Sequence, residues 1–201
     1  MEAQVTEQTR KDRGASLLEV CDQLVKLAKK AGASDSEAYA ERTRESSVKV
    51  REGSVEELQQ ATSKGVGLRV FAAGRLGFAY GTDFSKDGLR GLAQSAVSLA
   101  KGTAKDPFNE LPRGSQLGRG PEGGYDPAIE DIDPAWKLRA AHAAERAAGQ
   151  VDRRVRKFDS TGAGDFLASS AIASSRGASG ESRASYAYVY CSPVAEADGQ
   201  L

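Results

Sequence analysis

Apolar positions along the chain change their period several times, and each change predicts an element. From 15 to 31, Leu17, Cys21, Leu24, Ala28 and Ala31 recur at three- and four-residue spacing, with Leu18 and Val25 widening the stripe. That spacing predicts an amphipathic helix. Gly32 follows it as a natural stop, because glycine enters the left-handed conformation without a Cβ clash. Between about Ser36 and Thr82 the period falls to two. Val48 and Val50 alternate with Lys49 and Arg51, Glu52-Gly53 turns the chain, and Val55 to Thr62 continues as a more polar strand. Val66, Leu68 and Val70 alternate next, Ala73-Gly74 turns again, and Leu76, Phe78 and Tyr80 complete the run. Four successive strands joined by short turns predict an antiparallel meander with one buried face.

Helical spacing returns after Asp83 and Ser85, either of which can cap. Leu89, Leu92, Ala93, Ala96, Val97 and Ala100 form the stripe, and Gly102 closes it. Residues 103 to 124 are rich in Gly, Pro and charge and read as a connector in which Phe108 and Leu111 can provide local order. A third helix is expected from Asp133 as N-cap and Pro134 at the first helical position, where a missing N–H costs nothing. Trp136, Ala140, Ala143, Ala144 and Ala147 are its expected buried side, and Gly149 its end. Strands are then expected at 155–158, 166–174 and 182–192, separated by Gly-rich turns. In the last of them Tyr186, Tyr188 and Tyr190 alternate with Ala187 and Val189. The chain then reaches Asp198-Gly199, a strong hairpin signal with no return strand after it. Three readings follow: the front part of a larger protein, a sheet completed by a partner, or a frayed polar tail.

The fold class expected from this order is α+β: an antiparallel sheet packed with helices, followed by the incomplete start of a second, mainly β domain. The expected division is a disordered tail at 1–14, an α+β domain at 15–105, a linker at 106–124 and the second domain from 125 to 201. The 201 residues are enough to bury a real core. Lys plus Arg and Asp plus Glu stand at 28 each, so no excess charge argues for nucleic acid or an anionic membrane. No secretory apolar segment opens the sequence and no run approaches a membrane span. Cys21 and Cys191 sit in an apolar helical stripe and a strand, which fits buried thiols in a reducing compartment. The cytoplasm is the expected location.

The run of residue types with most chemistry is Asp159-Ser-Thr-Gly-Ala-Gly-Asp165-Phe166. It resembles the anion-hole turn of ribokinase-type sugar kinases, in which an Asp in the place of Asp165 would be the base. That chemistry requires the glycine turn to open a helix whose N-terminus holds phosphate. The Ser-rich residues 166–176 and the 36 residues after Asp165 do not supply that context, so a turn between two strands is expected instead. Gly65-Val-Gly67 lies inside a strand, without the third glycine or the βαβ setting of a dinucleotide fingerprint. His142, the sole histidine, stands three residues from Glu145 on the third helix. Two such groups fall short of the three or four ligands of a zinc site, and a partly exposed helical histidine is expected. No G-x-S-x-G elbow occurs. Arg153, Arg154, Arg156 and Lys157 read as a solvated strand edge. No catalytic, cofactor-binding or metal-binding residue is therefore assigned.

Several ordered segments resemble the N-terminal half of the TldD/PmbA family, once labelled modulators of DNA gyrase. They are Gly65–Tyr80 (GVGLRVFAAGRLGFAY), Thr82-Asp83-Phe84-Ser85, Lys101-Gly-Thr103, Asp106-Pro107, Leu111-Pro112 and Tyr125-Asp126-Pro127. The helix AAERAAGQVDRRV and the Ser175-Arg-Gly177 turn complete the set. The resemblance spans roughly residues 15 to 200 and leans toward the PmbA (TldE) branch through DPFNELP. It implies a subunit of a cytoplasmic metalloprotease that pairs with a TldD-like partner, or with itself, around a chamber admitting unfolded peptides. It also implies that zinc belongs to an H-E-x-x-x-H helix in the C-terminal domain of the TldD subunit, a motif this sequence lacks. The chain is then expected to be a non-catalytic scaffold and assembly portion. A sugar-kinase-like fragment or a stand-alone interaction module are the alternatives.

Overall fold

The computed structural model describes residues 16–116 and 123–197. Three α-helices, α1 (Leu17–Ala31), α2 (Lys86–Lys101) and α3 (Pro134–Gly149), accompany five strands: β1 (Asp35–Arg51), β2 (Ser54–Ala72), β3 (Arg75–Gly81), β4 (Val155–Ser174) and β5 (Ser179–Ala195). The strands form one sheet in the order β3-β2-β1-β4-β5. The α+β class expected above is what the chain adopts. The expected tail and the Asp198-Gly199 hairpin lie outside the described residues, as do 117–122 of the connector.

Strand number is a correction. The four-strand run is three strands, because Val55–Thr62 and Val66–Val70 belong to one 19-residue β2. The polar stretch between them reads as a break only if a strand must bury one face. Here Ser54 to Lys64 is exposed residue by residue, yet remains extended. Both real turns have two residues with positive φ, Glu52 (+50°) and Gly53 (+78°), then Ala73 (+52°) and Gly74 (+74°). Two such residues match the right-handed twist of the flanking strands and give tight hairpins. The second turn sets Ala72 opposite Arg75 and Val66 opposite Gly81 in an antiparallel pair.

The chain divides into two compact units. One comprises 16–42, 64–116 and 169–182, and the other 43–63, 123–168 and 183–197. Unit one is held by an apolar core. Ser16 caps α1 reciprocally: the Glu19 N–H donates to Ser16 Oγ at 3.1 Å, and the Ser16 N–H donates to Glu19 Oε2 at 2.9 Å. The apolar stripe of α1 (Leu17, Val20, Cys21, Leu24, Ala28) meets Leu89, Ala93, Ala96, Val97 and Ala100 of α2, with Ala38, Ala40, Val66, Leu68, Val70, Ala171 and Ala173 of the strands. Ser85 caps α2 by accepting from Gly88 N–H at 3.1 Å. This helix lies so close to β3 that a Cβ on Gly77 would fall 2.1 Å from the Ala96 carbonyl oxygen. The β4–β5 hairpin of this unit is pinned by Arg176, whose Nε and Nη2 donate to the two oxygens of Asp35 at 3.0 and 2.8 Å.

Unit two is built differently. Its apolar cluster is small: Val48, Val50, Ala141 and Ala163 are buried, with Leu138 and Ala140 packed on them. Asp133 caps α3 through the Ala135 N–H at 2.9 Å, and Pro134 occupies the first turn. The buried face of α3 is not the one expected. Trp136 is 40% exposed and Ala143 and Ala147 face solvent, while Lys137, Ala141 and Glu145 are buried. An alanine-rich helix carries little hydrophobic asymmetry, so paired charges rather than apolar area set its rotation.

Candidate functional site

Asp165 is the residue on which the chemistry of the second unit converges, and it does not lie in a turn. Residues 155–174 form one strand, β4, so the glycine run opens no helix and separates no strands. The expected turn is corrected for a packing reason. Thr161 to Asp165 is buried on both faces. A Cβ on Gly162 would fall 2.8 Å from Tyr190 Cε1, and one on Gly164 would fall 2.5 Å from the Tyr188 hydroxyl. The glycines are the flat ground on which two tyrosine rings of β5 lie, which is how a strand exploits residues with no side chain to pack. Thr161, Ala163 and Asp165 point the other way, because successive side chains alternate across a strand.

On that side Asp165 is sealed, with 1% of its side chain accessible, and Lys137 of α3 is 2% accessible. The Lys137 ammonium touches Asp165 Oδ2 and donates to Ser46 Oγ at 2.7 Å. Arg44 Nη2 stands 3.6 Å from Asp165 Oδ1 and donates to the Glu130 carbonyl oxygen at 2.8 Å. The Glu130 carboxylate in turn accepts from the Tyr125 hydroxyl and from Arg183, whose guanidinium stacks 3.8 Å from the Tyr125 ring centre. These donors hold the Glu130 carboxyl below its ordinary range, the Tyr125 hydrogen bond first among the causes. The same bond raises the Tyr125 phenol.

The second anchor of α3 lies two turns further along. Glu145 Oε1 accepts from the Glu52 N–H at 2.7 Å, and Oε2 accepts from the Gly53 N–H at 3.0 Å. Both donors belong to the β1–β2 turn, so a helix carboxylate closes a hairpin. His142 lies one residue past Ala141 and is half-exposed. The Glu145 oxygens expected beside it are taken by backbone N–H groups. Among the described residues no group of three or more His, Cys, Asp or Glu is placed to hold a metal.

Chemically, this constellation carries charge without offering it. The oxygens of Asp165 are out of reach of solvent and face a lysine, which leaves no space for a substrate hydroxyl. Sequence reasoning singled out Asp165 and missed its partners. The available signal was the i, i+4, i+8 spacing of Lys137, Ala141 and Glu145, masked by the alanines on the neighbouring positions.

A PmbA/TldA metallopeptidase domain 1 matches residues 36–100, and a PmbA/TldA metallopeptidase central domain matches residues 127–200. The two matches fall in the order that the resemblance of Gly65–Tyr80 and Tyr125-Asp126-Pro127 implied. The chain belongs to the PmbA/TldD family.

Several solved structures share its fold. A protein from Bacteroides thetaiotaomicron, put forward as a modulator of DNA gyrase, is 20% identical with a TM-score of 0.81 over 91% of this chain. TldE from Thermococcus kodakarensis is 16% identical, with a TM-score of 0.76 over 89%. A Thermotoga maritima protein, likewise put forward as a modulator of a DNA gyrase, is 21% identical, with a TM-score of 0.76 over 90%. At these identities the likeness concerns the fold. The chain spans 42%, 40% and 40% of the lengths of those three structures. A comparison with curated proteins gave no match. No helix among the described residues is long and apolar enough to cross a membrane.

Proposed function

We propose that the chain supplies the first and central domains of a PmbA/TldD-type metallopeptidase subunit in peptide proteolysis, as scaffold and assembly portion rather than as the cleaving centre. The division proposed is an α+β domain over 15–105, a linker over 106–124 and a second domain from 125. The observation that carries this reading is the closure of Asp165. The most reactive-looking side chain of the sequence is 1% accessible and engaged with Lys137, so it serves the architecture of the domain. No catalytic, cofactor-binding or metal-binding role falls to a residue of this chain in the proposal. Zinc and its H-E-x-x-x-H helix belong to a TldD-like partner, unfolded peptide is the substrate class, and the cytoplasm is the site of action. The likeness in fold to TldE from Thermococcus kodakarensis supports the choice of branch.

The test is co-purification of the tagged chain with a TldD-like subunit at micromolar concentration, alongside a peptidase assay on an unfolded peptide. The expected result is a complex, and turnover only when the partner is present. Absence of any complex, or zinc-dependent cleavage by this chain alone, contradicts the reading.

A second reading, a stand-alone interaction module that completes its sheet with a partner's strand, draws on the edge position of β5 and on the exposure of Tyr186 (53%). Part of that edge is already engaged, because the Ser185 N–H donates to the Gly124 carbonyl oxygen at 2.8 Å and Pro193 offers no N–H. Concentration-dependent amide protection across 186–190 is its expected mark.

A further inference from the structure

We infer that α3 is a hinged cover, able to leave the strip of β1 and β4 beneath it while the rest of its unit stays folded. The inference rests on how the helix is attached. Its buried side chains are Lys137, Ala141 and Glu145, so one methyl group is the only fully buried apolar side chain it contributes. Leu138 and Ala140 add partial cover over Val48, Val50 and Ala163. The remaining attachment is electrostatic and sits at two points eight residues apart, roughly 12 Å along the axis.

At the first point the charges facing Lys137 are Asp165 and, beyond it, Arg44. Three charged groups, Lys137, Asp165 and Arg44, share this point, and the Arg44 Nε is buried with no hydrogen-bond partner among the described residues. A polar network that is only partly satisfied is costly to keep closed, because desolvation of the charges offsets their attraction. At the second point Glu145 is satisfied by two N–H groups of a turn whose residues are solvent-exposed. Both points regain hydration when the helix lifts, and little apolar surface is lost. Segments with few buried apolar contacts are the ones that open below the global unfolding free energy. Opening uncovers Val48, Val50 and Ala163, while Asp165 keeps Arg44 of β1 at 3.6 Å.

Hydrogen exchange by mass spectrometry on the full chain at neutral pH reads this directly, with α1 of the other unit as an internal reference. The expected result is exchange of the amides of α3 through an opening distinct both from that of α1 and from that of the β1 and β4 residues beneath it in its own unit. In Glu145→Gln, where an amide group meets the turn N–H groups, α3 exchange should accelerate by about tenfold with α1 unchanged. In the paired variant Lys137→Met with Asp165→Leu, which replaces the ion pair by apolar contact, α3 exchange should slow or stay level. Protection of α3 equal to that of the β1 and β4 residues beneath it in the parent chain overturns the inference. So does an equal change of both helices in either variant.

Discussion

Two helices of this chain do the same geometric job, covering a sheet, with opposite chemistry. Helix α1 presents Leu17, Val20, Cys21, Leu24 and Ala28 and is held by area. Helix α3 presents Lys137, Ala141 and Glu145 and is held by charges at its two ends. At about 25 cal/mol for each Å² of apolar surface removed from water, a stripe like that of α1 is stabilised almost regardless of orientation details. Two charged contacts depend on geometry, and lose most of their value when either partner is removed. The difference teaches that helices of similar length need not be equally firm, and that apolar area rather than paired charge makes the firmer one here.

The comparison can be broken at its apolar end first. Leu24 is fully buried, and Leu24→Ala should cost about 2–5 kcal/mol of global stability through lost transfer energy and a residual cavity. Urea unfolding followed by circular dichroism measures it; a loss below 1 kcal/mol, on the same scale, would mean the α1 interface tolerates voids. Gly77→Ala tests the tight approach of α2 to β3. Its new Cβ would meet backbone, not a mobile side chain, 2.1 Å from Ala96 O. A cost of about 1–3 kcal/mol is expected in the same unfolding measurement.

A smaller effect concerns the ion pair that pins the β4–β5 hairpin of unit one. Hydrogen bonds from Arg176, followed in size by the opposing effect of burial, hold the Asp35 carboxyl below its ordinary value. A depressed carboxyl favours the folded state while ionised. Its contribution is therefore complete above the ordinary range, about pH 4, and fades as pH falls through the depressed value. The melting-temperature gap between parent and Asp35→Asn should be constant from neutral down to mildly acid pH and close below it. A gap that persists unchanged in strong acid contradicts the assignment. The smallest effect is chemical. Burial pushes the Cys21 thiol up to about 11, and its Sγ donates to the Ala171 carbonyl oxygen at 3.5 Å. Alkylation at pH 8 should modify Cys21 only on unfolding, which peptide mapping can follow.

Much of this architecture was legible from residue order. The apolar period of α1 and α2, the Asp133-Pro134 start of α3 and the positive-φ turns at Glu52-Gly53 and Ala73-Gly74 follow from local rules and stand where they were expected. What local rules miss is partnership. Gly162 and Gly164 look like a turn until Tyr190 and Tyr188 of another strand are laid over them. Val55–Thr62 looks like a strand of its own, separate from Val66–Val70, because nothing in a polar stretch announces extension without burial. The rotation of α3 differs from the expected one for a related reason. Alanine on one face suggests burial, but the choice is made by Asp165 on β4 and by the 52–53 turn, 28 and 90 or more residues from the nearest anchor of the helix in sequence. Asp165 itself was visible as an unusual residue, whereas its role was not, since a carboxylate reads identically whether it faces a ligand or a lysine.

The attachment of α3 by charge is tested most directly by a double-mutant cycle on Lys137 and Asp165, read by urea unfolding with a probe in the second unit. Lys137→Met and Asp165→Leu taken singly each leave a buried charge without its partner and should cost about 3–5 kcal/mol. Together they should restore stability to near the parent value, because two apolar side chains fill the space of the pair. Two single losses that simply add in the double variant would show that Lys137 and Asp165 do not act on each other, and that α3 is held by something other than charge.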